Sequence, residues 1–286
     1  TKEYILKLGI ICLGIQLKPF EFLDFGKIAI PLIIICIISV LIVIKILIKK
    51  LKIPTRMAYL ISIGSTVCGT TAIMATAPVI KANKNEISYA IANITLFGIL
   101  SMLIYPYFAN FYFDGKSLFV GLFLGTSIHE TSQVAAAGLI YDQQFNSPET
   151  LNIATVTKLI RNTFLIIMIP LFAFLYNRGK TKGVSYSLLN IFPYFVLGFI
   201  GMIVFRNIGD AVFIIDNKYK WVETIDFIKS SSKVFLTMAM AAIGLSTNLK
   251  DIKNMGYKPF VVGFIAMLTV GVVSILTIEI YIKLSI

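Results

Sequence analysis

The sequence is poor in charge. Lys, Arg, Asp and Glu make up 14% of the 286 residues, while 57% are hydrophobic. Soluble domains carry about 25% charged residues, so this composition excludes an ordinary water-soluble domain. Histidine is nearly absent, and one residue, His129, excludes a multi-histidine metal site. The three cysteines, Cys12, Cys36 and Cys68, sit inside apolar stretches. They have neither metal-ligand spacing nor the pattern of a disulfide framework. No Gly-x-x-x-x-Gly-Lys-Ser/Thr loop occurs, so the chain does not itself hydrolyse ATP. No metal and no cofactor are expected. Acidic residues are outnumbered, leaving a net charge of +12. The basic residues lie in short clusters between apolar blocks, as membrane-flanking anchors do, so no nucleic-acid partner is expected.

Long apolar runs are abundant. A helix crosses a bilayer with about 20 residues. Blocks of that order are Ile28–Ile48, Met57–Ile80, Ile87–Phe113, Leu118–Tyr141, Leu151–Asn177, Val184–Phe205 and Pro259–Ile278. Tyr4–Leu17 and Val234–Leu249 are shorter. The pattern predicts an all-α polytopic bundle of about eight or nine transmembrane helices, with residues 1–286 as a single integral membrane domain. Between Arg206 and Lys233, Tyr219 and Trp221 stand beside charges, as in an interfacial amphipathic segment. The chain starts at Thr1 and enters an apolar stretch without a signal-peptide pattern, so further N-terminal helices are expected to be missing from it.

One internal repeat is visible. Gly14-Ile-Gln-Leu17 precedes Gly26 and an apolar helix, and Gly244-Leu-Ser-Thr-Asn-Leu249 precedes Gly256 and another. Short, Gly-interrupted segments in corresponding positions point to a repeat-built transporter.

Three polar constellations interrupt the apolar blocks. The first runs from Gly64 through Ser65, Thr66, Cys68, Gly69, Thr70 and Thr71 to Pro78. Small residues permit close helix packing, but Gly and Pro among clustered hydroxyls also favour a break in the helix. A break would expose backbone N–H groups at a half-helix N-terminus, where the dipole favours an anion. The second, Gly125–Gly138, carries His129, Glu130 and Gln133; on one helix His129 and Gln133 would share a face. A solvated helix end at the water interface is the plainer reading. The third places Lys158, Arg161 and Asn162 on one helical face. Arg offers a planar fork of donors to an oxyanion; snorkelling at a helix end and a structural Glu130–Arg161 ion pair are the alternatives.

These segments together resemble the bacterial YeiH-type family, whose members carry a sulfate-exporter label. The resemblance rests on Gly-x-x-x-Cys-Gly-x-x-Ala-Ile-x-Ala-x-Ala-Pro-Val-Ile at Gly64–Ile80. It continues through Tyr89-Ala90-Ile91, Leu96-Phe97-Gly98, Tyr105-Pro106, Ser127-Ile128-His129-Glu130, Gln133-Val134-Ala135-Ala136, Lys158-Leu159-x-Arg161 and Ala242-x-Gly244-Leu245-Ser246-Thr247. The order is kept from about Leu8 to the C-terminus. Glu130 stands where the family usually has Asp, and Thr70-Thr71 where it often has Ser-Ala. The resemblance implies a multi-pass protein of the bacterial inner membrane, and it supports an anion transporter better than sulfate in particular.

The combined expectation is a secondary transporter, not an enzyme, that moves a small anion such as sulfate or an organic sulfonate by alternating access. Its substrate site would comprise Cys68, Gly69, Thr70, Thr71, His129, Gln133, Lys158, Arg161 and Asn162, with His129 and Glu130 carrying a coupled proton. Its partners would be the anion and the lipid bilayer, with a homo-oligomer left open. The rivals are a cation/proton antiporter built on His129 and Glu130, and an intramembrane enzyme built on Ser127, His129 and Glu130.

Overall fold

In hydrocarbon, a segment must satisfy its own backbone N–H and C=O groups, and a helix does so within itself. The computed structural model describes residues 2–16, 23–177, 194–213, 218–245 and 256–285, and the described segments are helices joined by short links. Helix α1 (Lys2–Leu13) ends in a single 3-10 turn, Gly14–Gln16, and is followed by α2 (Leu23–Leu51). The expected span Met57–Ile80 is two helices, α3 (Thr55–Thr66) and α4 (Thr70–Thr76). Then come α5 (Lys84–Tyr112), α6 (Ser117–Ser127), α7 (Thr131–Phe145), α8 (Pro148–Thr163) and α9 (Leu165–Asn177). The chain closes with α10 (Tyr194–Val212), α11 (Lys218–Leu245) and α12 (Lys258–Ser285).

Local chemistry explains several boundaries. Asn83 and Glu86 form a reciprocal capping box at the start of α5, with both bonds at 2.8 Å. Asn146 ends α7 in the left-handed conformation, a common helix stop. Pro148 stands at the first position of α8, where its missing N–H costs nothing.

Among the described residues, four segments are long and apolar enough to cross a membrane: Gly26–Leu51, Lys84–Tyr112, Glu149–Tyr176 and Lys258–Lys283. They are fewer than the predicted eight or nine because two further apolar blocks are each divided into shorter helices. Part of a third, residues 184–193, lies outside the described residues. The expected short span Val234–Leu249 is not separate: α11 runs unbroken from the charged stretch to Leu245. The outer faces carry Ile34, Ile38 and Ile42 on α2 and Phe264, Leu268 and Val272 on α12, all exposed. Such continuous apolar faces would drive aggregation in water and are what lipid tails require. The protein is therefore a multi-pass, all-α membrane protein.

Packing follows the small residues. A Cβ on Gly121 would stand 2.6 Å from Cβ of Ile153, and one on Gly125 2.6 Å from the Ala154 carbonyl oxygen. These two glycines, four apart, let α6 lie directly on α8. The repeat's turns, 17–22 and 246–255, lie outside the described residues, but its flanking helices pack counterpart on counterpart: α1 on α11 and α2 on α12. Trp221 is buried, stacked against Phe213 and edge-on to Phe205 over Gly209, with Nε1 donating to Asp210 at 2.8 Å. Tyr219, two residues earlier, is exposed.

Candidate functional site at the crossing of two broken helices

The first break spans Val67, Cys68 and Gly69. Gly69 adopts φ 66° and ψ −125°, a region open essentially to glycine alone. The last carbonyls of α3 need partners once the helix stops. Those of Ile63 and Gly64 accept from Val67 N–H and Gly69 N–H, both at 3.1 Å. The carbonyls of Ser65, Thr66 and Val67 reach across to α8.

The second break, Ile128–His129–Glu130, separates α6 from α7. Ile128 and Glu130 are extended, with ψ of 138° and 144°. His129 therefore stands in a non-helical link, which overturns the expectation that it shares a helical face with Gln133. Gln133 is turned onto α5, where Nε2 donates to Thr95 O at 3.2 Å and the amide fills the space beside Gly98. It does not stand beside His129 as i,i+4 spacing would place it.

Helix α8 joins the two breaks. Lys158 is 0% exposed, and its ammonium donates to Val67 O at 3.0 Å, Ile128 O at 2.9 Å and His129 O. An ammonium has three N–H donors, so all are engaged. Arg161 is 1% exposed: Nε donates to Thr66 O at 2.9 Å, Nη1 to Thr126 O and Nη2 to Ser65 O. Two cations thus hold the C-terminal ends of α3 and α6, where unsatisfied carbonyls concentrate negative partial charge. The snorkelling alternative fails, since both cations turn into the protein. Asn162, also buried, donates from Nδ2 to Thr131 Oγ1 at 3.1 Å, at the start of α7.

Glu130 faces the other break. It makes no side-chain cap to its own helix; its carboxylate accepts from Thr70 Oγ1 at the start of α4. Its side chain also abuts Gly69, where an added Cβ would stand 3.0 Å from Glu130 Cγ. The partner of Glu130 is therefore Thr70 rather than Arg161. Both ring nitrogens of His129 are buried without a hydrogen-bond partner, as are Ser65 Oγ and Asn162 Oδ1. Cys68 is buried and Thr71 half-buried in the same region. A cavity of about 470 Å³ runs along Tyr219, Glu223, Asp226 and Phe227 of α11, and none of its lining residues belongs to the crossing.

The crossing thus brings together Cys68, Gly69, Thr70, His129, Glu130, Lys158, Arg161 and Asn162. The carbonyls that receive the two cations carried no sequence signal, because every residue has one; a basic side chain in mid-block three residues from another was the available hint. Gly69→Ala is expected to destabilise the protein by about 1–3 kcal/mol, since alanine resists this backbone region and its methyl would push on Glu130. Thermal unfolding in detergent checks this; an unchanged melting temperature would refute it.

Comparison with known proteins follows the same span. A family profile described as "Conserved hypothetical protein 698" matches residues 1–263. A UPF0324 membrane protein of Fusobacterium nucleatum is 37% identical over 283 residues, covering 96% of this chain and 81% of that one. One from Streptococcus agalactiae is 36% identical, and one from Clostridium tetani 32% identical, each covering 96% of this chain and 80% of the relative. No solved structure matches.

Proposed function

This chain belongs to the UPF0324 family of membrane proteins, the YeiH-type family, and on that premise we propose that it is a secondary transporter carrying a small anion through the crossing by alternating access. The carrying observation is a charge imbalance. Lys158 and Arg161 bring two buried basic side chains to the crossing, each bonded to three carbonyl oxygens, and among the described residues Glu130 is the one carboxylate near Lys158. The dipole ends roughly offset, because two helix C-termini and two N-termini meet there. With Lys158 and Arg161 protonated, as their three carbonyl acceptors each favour, and His129 neutral, about one positive charge is left over. An unmatched charge at membrane depth is costly, and a bound anion removes that cost. A cation in the same place would add to the excess, which disfavours the cation/proton antiporter.

The donors left for an anion are specific. Arg161 has five N–H groups and three are engaged, so two remain. His129, Thr71 and the first N–H groups of α7 add neutral donors. Lys158 has no free donor and acts through its charge and by holding the breaks. The enzyme reading loses support because Ser127 Oγ donates its proton to Phe123 O within its own helix rather than to His129. Sulfate and organic sulfonates are the proposed substrate class, since their several oxygens suit a spread of N–H and O–H donors.

Broken helices crossing at one point give alternating access a hinge: each half-helix can tilt without breaking a continuous hydrogen-bond ladder. The test is flux. Purified protein in liposomes is expected to take up labelled sulfate or methanesulfonate down an imposed anion gradient, well above protein-free liposomes. Cation movement after a sodium or pH jump, without anion flux, would overturn the proposal.

A further inference from the structure

Glu130 differs from the other charged groups of the crossing in two respects. It is half-buried, whereas Lys158 and Arg161 are fully enclosed. It is also held by a single hydroxyl, Thr70 Oγ1, whereas each cation has three carbonyl partners. Of the three charged side chains it is the least bound up with the helix ends.

We infer that Glu130 sets the charge of the accepted anion, binding a proton whenever a divalent anion occupies the crossing and remaining ionised beside a monovalent one. This rests on the anion-transport reading above. With Glu130 ionised, the two cations leave about one positive charge, and a monovalent sulfonate neutralises it without further change. A divalent sulfate would leave one negative charge too many. Adding a proton to Glu130 restores balance, since two cations then face one dianion.

The proton comes from bulk water and ends on a Glu130 carboxyl oxygen; no other bond is made or broken. Sulfate is fully ionised near neutral pH, so the proton does not travel on the anion. Protonation also releases Thr70. Its hydroxyl now donates to the Glu130 carboxylate. Once that carboxylate is neutral, the hydroxyl can turn to an anion oxygen, and the new carboxyl O–H becomes a second donor. The groups facing Glu130 are Lys158 from α8 and Cys68 from the first break; Arg161 lies beyond them, beside Lys158, Cys68 and Cys36 of α2, and His129 is the next residue in the chain. His129 could take the proton instead, and both its ring nitrogens are unpartnered. That would place a third cation against Lys158 and Arg161, so the half-buried carboxylate is the better acceptor.

Isothermal titration of the purified protein with sodium sulfate and with sodium methanesulfonate, each in buffers of different ionisation enthalpy, counts the protons taken up. About one proton per sulfate and about none per methanesulfonate is the expected result. Glu130→Gln is expected to bind sulfate with no proton uptake. The wild-type comparison decides the matter alone if that variant does not fold. Equal proton counts for the two anions, or uptake that persists in folded Glu130→Gln, would overturn the role of Glu130 while leaving anion transport standing. Binding of neither anion, together with no anion flux in liposomes, would remove both readings.

Discussion

Arg161→Ala is expected to destabilise the protein before any question of anion affinity arises. The substitution strands three buried carbonyls, those of Ser65, Thr66 and Thr126, at the ends of two different helices. Each buried group left without a partner costs about 1–3 kcal/mol. The sum is several kcal/mol, comparable with the whole stability margin of many domains, about 5–15 kcal/mol. Loss of monodisperse protein, or a fall in melting temperature of about 10 °C or more, is the expected reading. Arg161→Lys keeps the charge but replaces a planar fork with one ammonium, and should fall between wild type and alanine. Removing Glu130 together with Arg161 should not restore stability, because their hydrogen-bond partners differ. The sequence alone suggests a milder outcome, in which Arg161→Lys weakens anion binding and spares the fold. A variant that melts like wild type yet no longer binds anions would return Arg161 to that purely ligand role.

Lys158→Met should have the next largest effect, and a more local one. Lys158 ties one break directly to the other, through Val67 on one side and Ile128 and His129 on the other. Methionine fills similar space without donors, so the links lose their common partner while the long helices stay packed. Bonds to a charged donor contribute about 1.5–3 kcal/mol each. The opened state should therefore become much more populated. Cys68 reports on this, being buried within the first break. With Cys12 and Cys36 replaced, a membrane-permeant maleimide should label Cys68 at least about tenfold faster in Lys158→Met, since tenfold needs only about 1.4 kcal/mol. Equal labelling rates would mean that the breaks are held by something else.

These outcomes differ from the sequence-based expectation for one reason. A Lys and an Arg in mid-membrane pointed to an external anion because nothing nearby in sequence could satisfy them. Their partners lie about 30 and 90 residues away along the chain, brought together by folding. Those partners are backbone oxygens at helix ends, so finding them requires knowing where two helices stop and that they stop against the same face of α8. His129 illustrates the same limit: spacing alone placed it on a helix with Gln133, but the helix starts only at Thr131 and Gln133 bonds to α5.

Several features were decided by the sequence itself. Uninterrupted apolar runs of about 20 residues and scarce charge select helices in lipid, because a helix satisfies its backbone within itself and spans the hydrocarbon at that length. Gly69 among hydroxyls announced the first break, since glycine alone accepts its dihedrals without strain. The mid-block positions of Glu130, Lys158 and Arg161 marked a region of internal contacts, because charge survives at that depth only with partners. Tertiary structure alone decided what those partners are. It placed two helix C-termini against Lys158 and Arg161, set Glu130 against Thr70, and turned Gln133 away. Such assignments depend on the approach of segments far apart in the chain, and no local pattern of residue types encodes the direction from which a backbone carbonyl arrives.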